Sequence, residues 1–179
     1  MKRVLTRTTY LEMFSPPART LAAPRKDVEI LRVHSPSVQY YRYLYRSVGR
    51  PYQWIDRALL ADHELAQIVQ DDRVEIYLLE VAGQPAGYCE LDRRQPGEIE
   101  LAYFGLFPGF LGQGLGKYFL WWALDRAWSY GPRRVWVHTC DLDHEAALPN
   151  YLKAGFTIYD VRMTEQVVTD EQEHGEKES

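Results

Sequence analysis

The sequence has little cysteine, no excess of positive charge and no long apolar run. Its two cysteines among 179 residues exclude a disulfide framework and favour free thiols in a reducing compartment. A net charge of -4 offers no electrostatic footprint for nucleic acid. No run approaches the roughly 18 apolar residues of a membrane span, and no apolar signal core follows the N-terminal Met-Lys-Arg. We therefore expect a cytoplasmic protein with no nucleic-acid or membrane partner.

Residues suited to bind a metal ion are few and lie together in one short segment. They are His138, Cys140, Asp141, Asp143 and His144. His138 and Cys140 would share one face if the segment is a strand. No second group with the spacing of a metal site stands elsewhere in the sequence. We therefore predict no metal site.

Composition divides the chain into an arm, one domain and a tail. A chain of 179 residues has the size of a single domain with one sizeable core. Residues 1–27 contain three prolines and are predicted to form an extended N-terminal arm. Residues 28–168 are predicted to form the domain. Residues 169–179 carry five acidic side chains and are predicted to be a disordered tail.

Apolar periodicity and turn residues predict an α+β chain. The predicted strands are residues 28–33, 73–81, 86–91, 98–107, 134–139 and 156–163. The predicted helices are residues 36–49, with Ser35 as N-cap, and residues 54–60, 62–69, 115–130 and 144–154. Antiparallel hairpins followed by a β-α-β crossover indicate a mixed, mostly antiparallel sheet of six to seven strands flanked by helices.

A glycine-rich turn, residues 112–116 (GQGLG), joins a predicted strand to a predicted helix. Glycines at this place let backbone N–H groups converge on a ligand, and the helix start favours phosphate. A Walker motif does not fit, because Leu111 replaces its first glycine and Tyr118 follows Lys117. A dinucleotide fingerprint does not fit either, because its third glycine would fall on Lys117. The turn alone therefore indicates an anion site or a tight turn without a ligand.

Two motifs resemble the GCN5-related N-acetyltransferase (GNAT) superfamily. The stretch LAYFGLFPGFLGQGLGKYFL resembles the acyl-CoA motif Q/R-x-x-G-x-G/A, with Gly114 and Gly116 as its glycines and Leu111 in place of Gln or Arg. The stretch NYLKAGF, which begins at Asn150, resembles the helix FYEKLGF near the coenzyme sulfur. Together with the strand order, the resemblance covers roughly residues 28 to 163. It implies a GNAT-like fold, acetyl-CoA as cosubstrate without a metal, and transfer of an acetyl group to a primary amine of a small molecule or peptide.

The resemblance also implies site residues. The coenzyme would contact Gly105, Leu106, Phe107, Leu111, Gly112, Gln113, Gly114, Leu115, Gly116, Lys117 and Asn150. The strand before the turn would splay from its neighbour near Gly105 to Phe107, and the N–H of Leu106 would polarise the thioester carbonyl. Tyr151 would protonate the leaving thiolate as general acid. Without that role, Tyr151 is a packing residue of an amphipathic helix.

The base and the acceptor site are less determined. Glu100 stands at the offset where several members of the family carry a glutamate, among apolar residues that would raise its pKa. Glu98, Glu90 and water remain alternatives. Tyr41, Tyr45 and Trp54 belong to an aromatic stretch that would suit a flat, apolar or cationic acceptor, with Glu90 as a further contact. The same stretch would otherwise simply pack in the core.

The residues and the resemblance together predict an acyl-CoA-dependent N-acetyltransferase, acting as a monomer or homodimer. A catalytically weak acyl-CoA-binding module, serving as a sensor or partner subunit, stays open because of Leu111 and the undetermined base. Nucleotide-dependent phosphotransfer is disfavoured by the failed Walker spacing.

Overall fold

The computed structural model describes residues 1–169 and places helices on both faces of a seven-stranded sheet. The strands are β1 (Lys2–Met13), β2 (Val28–Val33), β3 (Val74–Val81), β4 (Gln84–Asp92), β5 (Glu98–Leu106), β6 (Arg134–Cys140) and β7 (Thr157–Val168). The helices are α1 (Val38–Gly49), α2 (Asp62–Val69), α3 (Leu115–Trp128) and α4 (Ala147–Ala154). The predicted fold class is confirmed. The predicted tail lies outside the described residues, apart from Thr169.

The sheet has the order β2-β3-β4-β5-β6-β1-β7. Neighbouring strands pair antiparallel except β5 and β6, which are parallel and joined through α3. This parallel pair is the predicted β-α-β crossover. The predicted hairpin is β3 and β4, connected through a turn in which Gly83 has a φ of 74°.

The strand β1 was not predicted, and it lies inside the sheet. Thr8 pairs with Cys140 of β6 on one side and with Arg162 of β7 on the other. This strand lacks the apolar pattern by which a buried strand is predicted, because several of its buried side chains are polar. Thr6 and Thr8 are almost fully buried and share hydrogen bonds with the hydroxyl of Thr164. The prediction that residues 1–27 form an arm outside the sheet is therefore wrong for residues 2–13.

The segment predicted as a helix at residues 54–60 is irregular. The guanidinium of Arg42 donates to three carbonyl oxygens between Arg57 and Leu60. These bonds hold the segment against α1. The sequence predicts Asp62 as the cap of the next helix, α2, but the cap is Ala61, whose N–H donates to the Glu64 carboxylate, and Asp62 is the first helical residue.

Other helix starts also differ by a few residues from the prediction. The cap of α1 is Ser37, whose hydroxyl accepts the N–H of Tyr40, in place of Ser35. The helix α4 begins at Ala147 rather than at residue 144, and the N–H of Ala146 before it donates to the His144 side chain.

Two separate apolar cores lie against the sheet. One packs α3 and α4 against it and includes Leu101, Phe119 and Val137; the other packs α1 and α2 and includes Tyr41 and Leu44. Both cysteines are free, as predicted. None of the helices within residues 1–169 has the length and apolar character needed to cross a membrane.

Candidate functional site

A cavity of about 540 Å³ opens where β5 and β6 separate. The two strands pair only from Glu98 to Glu100, whereas β5 continues to pair with β4 as far as Leu106. Residues 101–106 of β5 therefore form one wall, and His138 is among the residues of β6 that form the other. The predicted splay exists, but it begins directly after Glu100 rather than near Gly105.

The glycine turn lies at this cavity. Gly112 and Gly114 have φ values of 74° and 77°, which side chains with a Cβ rarely adopt. Gly114 is the N-cap of α3, and the first helical hydrogen bond runs from the N–H of Tyr118 to its carbonyl. Within residues 1–169, the N–H groups of residues 112–117 donate to no protein acceptor. Free N–H groups at the positive end of a helix dipole form a concavity suited to phosphate.

Most of the predicted coenzyme residues line the cavity. They are Gly105, Leu106, Leu111, Gly112, Gly114, Gly116, Lys117 and Asn150. Phe107, Gln113 and Leu115 do not line it: Phe107 packs against Tyr43, Gln113 bonds to Arg25, and Leu115 is buried in the core. Gly105 is also required by packing, because a Cβ there would overlap Val48 of α1.

Tyr151 lines the cavity from α4. Its ring is nearly buried and packs against Phe156. The hydroxyl makes no hydrogen bond with residues 1–169. Burial raises the pKa of Tyr151 well above its ordinary value, with further contributions from Asp143 and Cys89. The phenol is therefore protonated at neutral pH and available as a proton donor.

Glu100 does not line the cavity, but it contacts a residue that does. Its Oε1 lies 3.5 Å from Nδ1 of His138, and their side chains are 21% and 43% exposed. The Glu100 carboxylate beside it raises the pKa of His138; burial opposes this, and the Asp143 and Asp56 carboxylates add to the rise. Sequence reasoning considered His138 only as a metal ligand. The available signal was its position on a predicted strand beside the motif strand.

Two predicted acceptor residues, Tyr41 and Glu90, do not line the cavity. Glu90 is fully buried and accepts hydrogen bonds from the Tyr41 hydroxyl and the Arg57 guanidinium, each at 2.6 Å. Burial raises the pKa of Glu90, while Arg57 and Tyr41 act against that rise. Tyr41 is equally buried. Of the predicted acceptor residues, only Tyr45 and Trp54 line the cavity.

One wall of the cavity is built by two loops that contact each other. The indole N–H of Trp54 donates to Asp143 at 3.1 Å, and Asp143 also accepts from the Thr139 hydroxyl and the Cys140 N–H. The Tyr52 and His144 rings touch edge to face. Asp56, Asp143 and Glu165 all line this part of the cavity. Sequence reasoning did not assign these carboxylates to the site, because their loops approach only in the folded chain.

The candidate metal ligands do not converge. Among residues 1–169, no three His, Cys, Asp or Glu side chains are placed to hold a metal ion. Instead Asp143 binds Trp54, and His138 faces Glu100.

Comparison with known proteins gives one curated relative and several structures of the same fold. A mycothiol acetyltransferase from Streptosporangium roseum is 36% identical over 87 residues, which are 49% of this chain and 24% of that protein. A GCN5-related N-acetyltransferase from Sphaerobacter thermophilus superposes with a TM-score of 0.67 at 14% identity, covering 89% of this chain and 50% of that one. The chain thus spans about a quarter of the curated relative and half of the Sphaerobacter chain.

A third comparison covers nearly the whole of its counterpart. An aminoglycoside acetyltransferase from an uncultured soil metagenomic sample, in complex with trehalose, superposes with a TM-score of 0.60 at 15% identity, covering 80% of this chain and 93% of that one. At such identities the two superpositions establish the fold alone. The sequence profile of the Acetyltransferase (GNAT) family matches residues 39–156, more than half of the 179 residues. The chain therefore belongs to the GNAT family of acetyltransferases.

Proposed function

We propose that the protein transfers the acetyl group of acetyl-CoA to an amine of a small molecule or peptide. The observation that supports this proposal most directly is that one cavity combines an anion-binding turn with a proton donor. At one end lie the unpaired N–H groups of residues 112–117, and beside the gap between β5 and β6 lies the protonated hydroxyl of Tyr151.

The coenzyme follows the open edge of β5 in this proposal. Its pyrophosphate binds the glycine turn, where N–H groups and the helix dipole favour negative charge. The pantetheine arm lies along residues 101–106, which β6 leaves unpaired. The N–H of Phe107 donates to Ala86 of the preceding strand, so strand alternation turns the N–H of Leu106 toward the gap. That N–H is then placed to polarise the thioester carbonyl.

The reaction forms a C–N bond and breaks the C–S bond of the thioester. A neutral amine attacks the carbonyl, and the departing thiolate takes a proton from Tyr151. Tyr151 suits this role because its raised pKa keeps it protonated and its hydroxyl makes no protein hydrogen bond.

The acceptor binds at the wall formed by the loops of Trp54 and Asp143. Asp56, Asp143 and Glu165 supply negative charge there, and Tyr52 and Trp54 supply aromatic surface. These side chains favour an acceptor that carries positive charge or an apolar face. The names of two relatives, an aminoglycoside acetyltransferase and a mycothiol acetyltransferase, support a small-molecule acceptor.

A thiol-release assay tests this proposal. Acetyl-CoA is mixed with the protein and a panel of amines: an aminoglycoside, an amino sugar, a polyamine, an arylalkylamine and a short peptide. We expect acceptor-dependent release of coenzyme A with at least one of them. Calorimetric binding of acetyl-CoA without release for any amine would instead support the acyl-CoA-binding sensor or partner subunit. Absence of binding would reject both functions.

A further inference from the structure

His138 lies at the point where β5 and β6 separate, on the acceptor side of the cavity. Resting on the proposed acetyl transfer, we propose that His138 accepts the proton of the attacking amine and that Glu100 is its positioning residue. Glu100 itself does not line the cavity, whereas His138 does. The glutamate predicted as the base therefore acts through the imidazole.

The register of the sheet brings the two side chains together. Glu100 is the last residue of β5 that pairs with β6, and its partner is Trp136. Two residues farther along β6, on the same face, His138 is the first to project beyond the paired region. The Glu100 carboxylate thus contacts the imidazole from the paired part of the sheet, while the imidazole itself lines the cavity.

The neighbouring rings fix the plane of the imidazole. Its centroid lies 5.7 Å from that of Tyr10 at 31°, and 6.1 Å from that of Trp136 at 30°. Glu100 Oε1 approaches Nδ1 at 3.5 Å. Nε2, at the other end of the ring, has no hydrogen-bond partner among residues 1–169. A carboxylate on Nδ1 and a free Nε2 are what a histidine base requires.

The charged groups that face His138 come from several elements. They are Glu100 from β5, Asp56 from the segment before α2 and Asp143 from the loop after β6, with the Tyr10 phenol on β1. Farther along β7, Asp160 and Arg162 pair with each other at 2.6 Å. The carboxylates raise the pKa of His138 above its ordinary value, which makes the neutral imidazole a stronger base.

The proton balance closes with two residues. When the amine nitrogen bonds to the carbonyl carbon, its proton passes to Nε2 of His138. When the C–S bond breaks, the thiolate takes the proton of Tyr151. The imidazolium then returns a proton, through solvent, to the tyrosinate. The products are the amide and the free thiol of coenzyme A, with no net proton gained or lost by the protein.

The experiment compares wild type with His138→Gln, Glu100→Gln and Glu98→Gln, using the best amine of the panel above. His138→Gln is expected to lower kcat roughly 10²–10⁴-fold without changing acetyl-CoA affinity, because a general base contributes about that much. Glu100→Gln is expected to move the acid limb of the rate profile to lower pH, because the imidazole loses the group that favours its charged form. Glu98→Gln is the matched control, since Glu98 faces Arg134 instead of His138, and it should leave the limb in place.

A titration of His138 by NMR gives a second readout that needs no acceptor. We expect its pKa to fall in Glu100→Gln and to stay unchanged in Glu98→Gln. If wild type turns over and His138→Gln keeps its rate and acid limb, the imidazole is not the base and the inference is overturned. A Glu100→Gln variant that slows the reaction mainly at low pH, with the His138 titration unmoved, assigns the base to Glu100 through water and also overturns it. If no amine releases thiol in wild type, the proposed function itself fails.

Discussion

The buried pair of Glu90 and Arg57 explains why a glutamate predicted to meet the acceptor is held in the core. Arg57 belongs to the irregular segment that forms a wall of the cavity, and its guanidinium donates to Glu90 near the end of β4. The same segment is held at Trp54 by Asp143. Glu90 therefore helps to position the segment that lines the cavity, although Glu90 itself does not line it. A buried pair of this kind is strongly destabilising to break, because one charge is left alone.

The two halves of this pair should respond differently to pH when the other is removed. In Arg57→Met, Glu90 is left alone and its raised pKa rises further, so the folded state binds a proton more tightly than the unfolded one. Stability is then regained as pH falls from 8 to 5. In Glu90→Gln, Arg57 cannot lose its proton, and a loss of about 3–5 kcal/mol should persist at both pH values. Urea unfolding at pH 5 and 8 measures both.

The exposed pair of Arg3 and Glu165 provides the control for these measurements. Its side chains are 76% and 64% exposed, so Arg3→Gln should cost about 1 kcal/mol or less at either pH. Equal pH dependence in Arg57→Met and Glu90→Gln would contradict the assignment of the unpaired charge.

The hydroxyl of Tyr151 can be removed without disturbing a protein contact. Tyr151→Phe should therefore lower kcat roughly 10²–10⁴-fold as expected for loss of a general acid, while acetyl-CoA affinity and the unfolding midpoint stay near wild type. Tyr43→Phe is the control, since Tyr43 is half-exposed and packs on Phe107 outside the cavity. Steady-state kinetics measures kcat, and calorimetry measures the affinity for acetyl-CoA. Unchanged turnover in Tyr151→Phe would remove it from the acid role.

At the scale of elements, the glycine turn and α3 act as one unit. Gly114 caps the helix in the left-handed region, and the N–H groups that follow are free. Gly114→Val should therefore cost about 1–2 kcal/mol of stability, the penalty of a left-handed residue with a Cβ. It should also weaken acetyl-CoA binding at least tenfold, because the turn must open to relieve the strain.

Gly109 provides the matched control in the same connection. It has ordinary backbone geometry and open space where a Cβ would stand, so Gly109→Ala should retain both stability and affinity. Calorimetry with acetyl-CoA and urea unfolding measure the two variants. If Gly114→Val bound acetyl-CoA as tightly as Gly109→Ala, the turn would not hold the coenzyme.

The elements that could be predicted from sequence are those with a local signature. The β3–β4 hairpin has a turn between two apolar runs, and α3 ends where Gly131-Pro132 follows closely. The segment at residues 54–60 was mistaken for a helix, because its conformation depends on contacts with other elements, such as those from Arg42 to its carbonyls and from Arg57 to Glu90. The pairing of Glu100 with His138 was missed for a related reason. It depends on the register of two parallel strands, which no local pattern encodes.

At the scale of the whole molecule, β1 lies between two strands, β6 and β7, that both contribute residues to the cavity. Its two neighbours, β6 and β7, do not pair with each other. Residues 165–167 of β7 line the cavity, and β7 has β1 as its partner in the sheet. The N-terminal strand therefore carries one wall of the site, although none of its own residues lines that wall.

Proline substitutions within β1 test whether these residues form an interior strand of the sheet or a dispensable arm. Thr8→Pro removes a backbone donor between two neighbours and should cost on the order of 3 kcal/mol, a large fraction of the roughly 5–15 kcal/mol that stabilises a domain. Lys2→Pro is the matched control, because proline is tolerated at the first residue of a strand and Lys2 is exposed there. Urea unfolding compares the two midpoints. Acetyl-CoA affinity should fall with stability in Thr8→Pro, since β7 would lose its support, and equal midpoints would show that residues 2–13 are an arm after all.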